Sequence, residues 1–182
     1  YDNHGGTLNK RSGSGDDTIA FTYKSVGYRT EDLMGQELGG WTELAQADGI
    51  CFGTLGQRSG PSRSTIRRIF TSMPPETLRL LDINLREPFY DATRIDESLS
   101  WANALKLNDE ELALVSNAVG ISGSEEQRIE AIRQRYRLQW VAVTRGARGS
   151  TVRTEQTWSH REGQPIAVVD TVGAGDAFAA AM

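Results

Sequence analysis

Glycines and acidic residues come together near the end of the 182-residue chain, in the segment from Asp170 to Asp176 (D-T-V-G-A-G-D). Gly173 and Gly175 have no Cβ, so the backbone can turn sharply there and approach a ligand closely. The apolar run 166–169 before them predicts a strand, and the run after them predicts a helix. Because the free N–H groups at the start of a helix attract anions, this turn predicts a phosphate-binding site.

Asp176 supports two interpretations. A carboxylate in the first turn of a helix compensates the helix dipole. Beside a bound phosphate, the same carboxylate could act as a general base and take the proton of a hydroxyl group. A turn with an acidic helix start is common in proteins, so the short G-A-G-D string alone leaves both interpretations open.

Composition excludes several classes of function. Lys and Arg number 20 and Asp and Glu number 24, giving a formal charge of −4, so we expect no nucleic-acid partner. No apolar run is long enough to span a membrane, so no membrane partner is expected. A single cysteine, Cys51, excludes an internal disulfide framework and favours a cytoplasmic location. The chain begins at Tyr1 and stops at Met182, soon after a helix begins, so we expect a piece of a longer protein.

From Trp41 onward, predicted strands and helices alternate along the chain. The strands are expected near 49–53, 78–83, 104–107, 140–144 and 165–169. The helices are expected near 63–70, 95–104, 110–119 and 125–136. This alternation predicts an α/β fold with a mostly parallel sheet and helices on both faces. A sheet of this kind binds ligands beyond the C-terminal ends of its strands.

Polar residues follow three of these strands. Asp82, Asn84 and Arg86 would share one side if their strand continued, and the guanidinium could then bind a phosphate or sugar oxygen. A salt bridge between Asp82 and Arg86 is the alternative. Asn108 and Glu111 have the spacing of a capping box. The turn from Thr144 to Gly149 could also be a hairpin turn into a strand at 151–153.

The longer string D-T-x-G-A-G-D-x-F, from Asp170 to Phe178, closely resembles the C-terminal signature of the ribokinase-like sugar kinases, or PfkB family. An N-x-x-E motif at Asn108 and a T-x-G-x-x-G motif at Thr144 resemble further family motifs, in the expected order. The resemblance covers Trp41 to Met182 well and Tyr1 to Leu38 weakly. It implies a ribokinase-like fold and transfer of the ATP γ-phosphoryl group to the primary hydroxyl of a sugar.

The resemblance implies a role for each matching residue. Asp176 would be the general base, and the anion hole would be formed by Gly173, Ala174 and Gly175. Contacts with ATP and its phosphates would come from Asn108, Glu111, Thr144, Gly146, Gly149 and Thr171. Glu111 would also organise water around Mg²⁺, and Asp170 would lie beside a monovalent cation, for which K⁺ is the candidate. Contacts with the sugar would come from Gly5, Gly6, Asn9, Asn84 and Arg86.

The N-terminal part departs from the family pattern. Gly5, Gly6 and Asn9 match a sugar-contacting G-G-x-x-x-N segment with one residue too few. Only two residues separate Leu38 from Trp41, where family members have several dozen that form much of a lid over the sugar. We therefore expect residues 1–40 to be a remnant of the substrate-binding part. Residues 41–182 would be the α/β core, ending before the adenine-binding segments.

Within the family, the segments 51–59 and 85–90 are most similar to bacterial fructokinase-like members. A 2-keto-3-deoxygluconate kinase or a nucleoside kinase of the same family is the alternative. A non-catalytic nucleotide-binding relative is a further alternative, which the missing lid favours and Asp176 opposes. The expected partners are a small-molecule sugar and ATP, with a homodimer as the candidate assembly of the full-length protein.

Overall fold

The computed structural model describes residues 18–20, 27–29, 47–164 and 173–181, the first two ranges by their backbone alone. Several predictions concern residues outside these ranges: the strand at 165–169, the missing lid after Leu38, and the site residues Gly5, Gly6, Asn9, Asp170 and Thr171. The chain divides into two compact units, one of residues 1–80 and 85–90 and the other of residues 81–84 and 91–182. The domain boundary expected near residue 40 stays a prediction.

Strands and helices alternate through most of the described chain. The strands are β1 (Thr18–Ala20), β2 (Gly27–Arg29), β3 (Gly49–Phe52), β4 (Leu78–Asp82), β5 (Ala104–Asn108), β6 (Trp140–Thr144), β7 (Ser150–Thr154) and β8 (Trp158–Arg161). The helices are α1 (Gly60–Ser72), α2 (Ala92–Trp101), α3 (Asp109–Ala118), α4 (Glu125–Arg135) and α5 (Ala174–Ala180), with short 3-10 helices at Leu55–Gln57 and Gly146–Arg148. The four predicted strands from 49 to 144 are therefore confirmed.

The first unit has the strand order β2-β1-β3 followed by the start of β4. Strand β1 is antiparallel to both β2 and β3. Helix α1 begins where the Ser59 side chain accepts a hydrogen bond from the Ser62 N–H group. Its Ile66 and Ile69 are buried, as expected for an amphipathic helix.

The second unit has the strand order β4-β5-β6-β7-β8, of which β4 contributes its last two residues. Strands β5 and β6 are parallel and are joined through α3 and α4, as a parallel pair requires. The side chains of Leu105, Leu107, Val115, Ile132 and Val141 are fully buried and form part of the core. Among the described residues, no helix is long and apolar enough to cross a membrane.

The last two strands of this unit form an antiparallel ribbon. Strand β7 pairs with β6, and β8 pairs with β7. The hairpin into a strand at 151–153 was the alternative interpretation of the Thr144–Gly149 turn, and the structure confirms it. Strand β8 was not expected, because its residues are all exposed and give no apolar pattern from which a strand could be predicted.

Candidate active site

Three strands of the second unit end at neighbouring positions. Asn108 at the end of β5 and Thr144 at the end of β6 are partners in the parallel register. The Ile83 N–H group, just after β4, donates a 3.2 Å hydrogen bond to the Lys106 carbonyl of β5. The ends of β4, β5 and β6 therefore lie side by side, at the edge where a parallel sheet binds its ligands.

Asn108 and Glu111 form the predicted capping box at the start of α3. The Glu111 N–H group donates to Asn108 Oδ1 at 2.8 Å, and the Asn108 N–H group donates to Glu111 Oε2 at 2.9 Å. Glu111 is 8% exposed, and the bond to Oε2 holds its carboxylate near the strand end. The capping interpretation is confirmed, and the role of these two residues toward ATP and Mg²⁺ stays a prediction.

The turn after β6 depends on two glycines with positive φ angles. Gly146 has a φ of 55° and Gly149 a φ of 90°, a region that residues with a side chain rarely adopt. A Cβ on Gly149 would lie 2.0 Å from the carbonyl oxygen of Arg161, at the end of β8. Close contact with the ribbon is therefore sufficient to require glycine at position 149. Phosphate contact by Thr144, Gly146 and Gly149 stays a prediction.

Two arginines of this turn form ion pairs with helix starts. Arg145 donates to the carboxylate of Glu125, the first residue of α4, and at 2.9 Å to the Thr151 hydroxyl. Arg148 pairs with Asp109, the first residue of α3. The turn is thereby attached to the start of the helix that carries Glu111.

The segment after β4 differs from the expectation. The strand does not continue to Arg86, which was the condition for Asp82, Asn84 and Arg86 to share one side: β4 ends at Asp82, and Asn84 has a φ of 38°. Asparagine is one of the few residues that tolerate this conformation, which ends the alternation of side chains. Asn84 and Arg86 are exposed, and their sugar-binding role stays a prediction.

Asp82 forms its ion pair with Lys106 of β5. Lys106 Nζ donates to both oxygens of the Asp82 carboxylate, at 2.9 and 3.0 Å. The two side chains are only 9% and 11% exposed. Sequence reasoning overlooked Lys106, although a lysine between leucines in a strand that reads as buried must find a partner, and this requirement was the available signal.

The turn before α5 lies against this ion pair. Gly173 has a left-handed backbone with a φ of 81°, and its carbonyl accepts from the Ala177 N–H group. A Cβ on Gly175 would lie 2.9 Å from Lys106 Nζ, so the ammonium group packs against the turn at this residue. Asp176 follows in the first turn of α5 and is exposed.

These groups form one electrostatic cluster. Burial raises the pKa of the Asp82 carboxyl, the positive charge of Lys106 opposes that rise, and the negative charges of Glu111 and Asp176 add to it. Two segments that are far apart in the sequence, the start of α3 and the start of α5, therefore act on the same buried carboxyl. The structure brings Asn108, Glu111, Gly175 and Asp176 to the end of strand β5.

The donor set near this cluster does not enclose a metal ion by itself. Within the described ranges, no group of three or more His, Cys, Asp or Glu side chains could hold one. Magnesium in nucleotide sites usually keeps several waters and is bound by one or two carboxylates together with phosphates. The fixed carboxylate of Glu111 fits that mode of binding.

Comparison with known proteins identifies the family. The family model described as pfkB family carbohydrate kinase matches residues 10–182. The chain belongs to the pfkB family of carbohydrate kinases. The resemblance found in the D-T-x-G-A-G-D-x-F string is thereby confirmed. Among curated relatives, a fructokinase of Salmonella thompson is 30% identical over 158 residues, which cover 84% of this chain and 66% of the relative.

Comparison with solved structures confirms the fold. A fructokinase with bound ATP from Xylella fastidiosa superposes with a TM-score of 0.68 at 18% identity, covering 89% of this chain and 53% of that one. A fructokinase from Vibrio cholerae O395, in a form bound to fructose, ADP and calcium, gives 0.61 at 26% identity, covering 72% and 43%. The predicted ribokinase-like α/β fold with a mostly parallel sheet is confirmed. The chain spans between 43% and 66% of the length of these relatives.

Proposed function

We propose that the full-length protein is a fructokinase-like sugar kinase that transfers the γ-phosphoryl group of ATP to the primary hydroxyl of a sugar. Membership of the pfkB family supports the phosphoryl transfer. The sugar is proposed from the fructokinase of Salmonella thompson and from the fructokinase solved with fructose and ADP. The proposal concerns the full-length protein, because this chain spans only part of those relatives.

The contact between Lys106 and Gly175 is the observation that carries the proposal. Lys106 precedes the N-x-x-E motif in β5, and Gly175 belongs to the G-A-G-D motif before α5. These two motifs are far apart along the chain, and the fold brings them to the same end of β5. Their proximity supports a single phosphoryl-transfer site at the C-terminal edge of the sheet.

In this proposal, Asp176 is the general base that takes the proton of the sugar hydroxyl. Its exposed position at the start of α5 leaves the carboxylate accessible to a substrate. The backbone N–H groups at Gly173, Ala174 and Gly175 would form the anion hole for the transferred group. Oriented N–H groups of this kind stabilise developing negative charge without reorganising during the reaction.

The remaining motif residues are assigned to the nucleotide and the sugar. We propose that the ATP phosphates are contacted by Asn108, Glu111, Thr144, Gly146, Gly149 and Thr171. Glu111 would hold Mg²⁺ through water, and Asp170 would lie beside K⁺. When bound, the magnesium ion would neutralise charge on the phosphate oxygens. Contacts with the sugar are proposed for Gly5, Gly6, Asn9, Asn84 and Arg86. A cytoplasmic location and a homodimer belong to the same proposal.

Substrate preference tests the proposal. In a coupled assay with ATP, the full-length protein should phosphorylate fructose far better than ribose, 2-keto-3-deoxygluconate or adenosine. A preference for one of the other three would transfer the assignment to another activity of the family. Binding of ATP without phosphorylation of any of the four would favour a non-catalytic nucleotide-binding relative.

A further inference from the structure

The buried pair of Lys106 and Asp82 is costly for a fold to contain. Removing two charges from water costs several kcal/mol per ion in real proteins, and a well-packed apolar pair of similar volume is often at least as stable. Lys106 itself is only 7% exposed, so an apolar residue would suit this position of the strand. Stability of the sheet therefore does not explain the charge at this position, and we look for another role.

Lys106 also explains why residue 175 is glycine. Gly173 needs its φ of 81°, and a Cβ there would meet no atom within 4 Å. At Gly175 the backbone does not require glycine, because the residue lies inside helix α5 and its φ is not positive. The contact does, because a Cβ would come within 2.9 Å of Lys106 Nζ. The end of a lysine side chain can often move aside. Here, two hydrogen bonds to Asp82 hold it in place.

The surrounding charges require a cation at this point. The carboxylates of Glu111 and Asp176 lie near enough to the Asp82 carboxyl to act on it electrostatically. Without the Lys106 ammonium, Asp82 would be a buried carboxylate facing two others. The expected response is a movement of the Gly173–Asp176 turn away from the strand end, because the turn has lost the group it packs against. Where Asp82 keeps its charge, its repulsion of Asp176 adds to this effect.

We propose that Lys106 is a positioning residue of the phosphoryl-transfer reaction. Its ammonium group, held by Asp82, fixes the backbone at Gly175 and thereby the orientation of the anion-binding turn and of Asp176. The kinetic part of this inference rests on the proposed function, whereas the contact between Lys106 and Gly175 can be tested without any activity. The turn would bind the transferred group most tightly in the transition state, so its misplacement should lower kcat more than it raises KM.

The kinetic test compares Lys106→Met with the double variant Lys106→Met/Asp82→Asn in the full-length protein. The single variant leaves Asp82 buried without its cation and should lower the melting temperature. The double variant removes both charges and should recover most of the lost melting temperature. We expect both variants to lose about 10²-fold in kcat, the size of effect that a 1 Å misplacement can have, with KM for ATP changed less than about threefold. Recovery of kcat together with the melting temperature would mean that the pair is only structural.

The contact test uses Gly175→Ala and Gly173→Ala in two backgrounds, the natural sequence and the double variant. Methionine ends where Lys106 Cε lies, 4.0 Å from the added Cβ, which is an ordinary contact distance. Gly175→Ala should therefore lower the melting temperature by several degrees in the natural background. In the double variant, Gly175→Ala should leave the melting temperature unchanged or raise it, since alanine favours a helix. Gly173→Ala should lower the melting temperature equally in both backgrounds, because its effect comes from the positive φ angle and not from Lys106.

Equal losses for Gly175→Ala in the two backgrounds would overturn the inference. This measurement also separates the inference from the proposed function. A protein that phosphorylates no sugar would contradict the proposed function and leave the coupling between Lys106 and Gly175 to be measured. A fructokinase without that coupling would contradict the inference alone.

Discussion

Asp176 occupies a position that suits both a structural role and the proposed catalytic role. It lies in the first turn of α5, where a negative charge stabilises the helix start by interaction with the helix dipole. It is also exposed, and its negative charge acts on the Asp82 carboxyl. Substitution by asparagine separates the two roles, because asparagine has nearly the same shape and no basic group.

Asp176→Asn should lower kcat of the full-length protein by about 10²–10⁴-fold, the usual contribution of a positioned general base. ATP binding should persist because the shape at the anion-binding turn is kept. The melting temperature should hardly change, because an exposed charge near a helix start contributes under about 1 kcal/mol. Steady-state kinetics, nucleotide titration and thermal unfolding measure the three quantities. Unfolding of the variant would indicate a structural carboxylate, and unchanged kcat would mean that another group is the base.

At the level of single residues, local chemistry could be predicted and long-range pairing could not. The capping box of Asn108 and Glu111 involves residues three apart, so spacing alone predicts it. The pair of Asp82 and Lys106 joins residues 24 apart on neighbouring strands. A sequence gives no register between strands, so a salt bridge from Asp82 to Arg86 was as reasonable an expectation as the pair that the structure contains.

At the level of elements, the bounds of a helix could be predicted where its capping residues were recognised in the sequence. Helix α4 begins after Ser124, where a capping box with Gln127 is present, and the prediction of 125–136 matches its bounds closely. Helix α2 runs from Ala92 to Trp101, three residues earlier at each end than predicted. The Asp91 side chain caps it by accepting from the Arg94 N–H group, and this start signal was missed.

Gly149 provides a prediction for the turn between β6 and β7. Gly149→Ala should destabilise the protein by about 2–4 kcal/mol, because the added Cβ would overlap a backbone oxygen and the φ angle is unfavourable. Gly146→Ala is the matched control: its φ is also positive, but its Cβ would meet nothing within 4 Å, so it should cost only about 1–2 kcal/mol. Urea unfolding of both variants measures the difference. Equal losses would show that the contact with Arg161 is relaxed in solution.

At the level of the whole molecule, the alternation of strands and helices was enough to predict the α/β class. The parallel core follows from apolar strands joined through helices, a pattern that the sequence displays directly. The antiparallel ribbon of β7 and β8 could be predicted only in part, because β8 is exposed on both faces. Its position depends on contacts such as the close approach of Gly149 to Arg161, which arise only in the folded chain.

The same ribbon is connected to the helical layer through Glu130. The Glu130 carboxylate of α4 accepts hydrogen bonds from Arg133 and Gln134 on its own helix and from Arg153 on β7, the last at 2.5 Å. These bonds, with that to Arg133 contributing most, lower the pKa of Glu130 from 4.5 to about 2. The carboxylate is partly exposed, so solvent limits the stability gained from this network to about 1 kcal/mol or less.

Acidification should reveal this contribution. A carboxyl whose pKa is lower in the folded protein stabilises the fold fully above its unfolded pKa, here about 4.5, and loses that effect as the pH falls toward about 2. Glu130→Gln should therefore lower the melting temperature at pH 7, and the difference from the natural protein should shrink steadily between pH 4.5 and 2. Glu126→Gln, which replaces an exposed carboxylate of the same helix, is the control for the loss of one acidic group. A difference for Glu130→Gln that stays constant down to pH 2 would mean that packing or neutral hydrogen bonding, and not the negative charge, connects α4 to the ribbon.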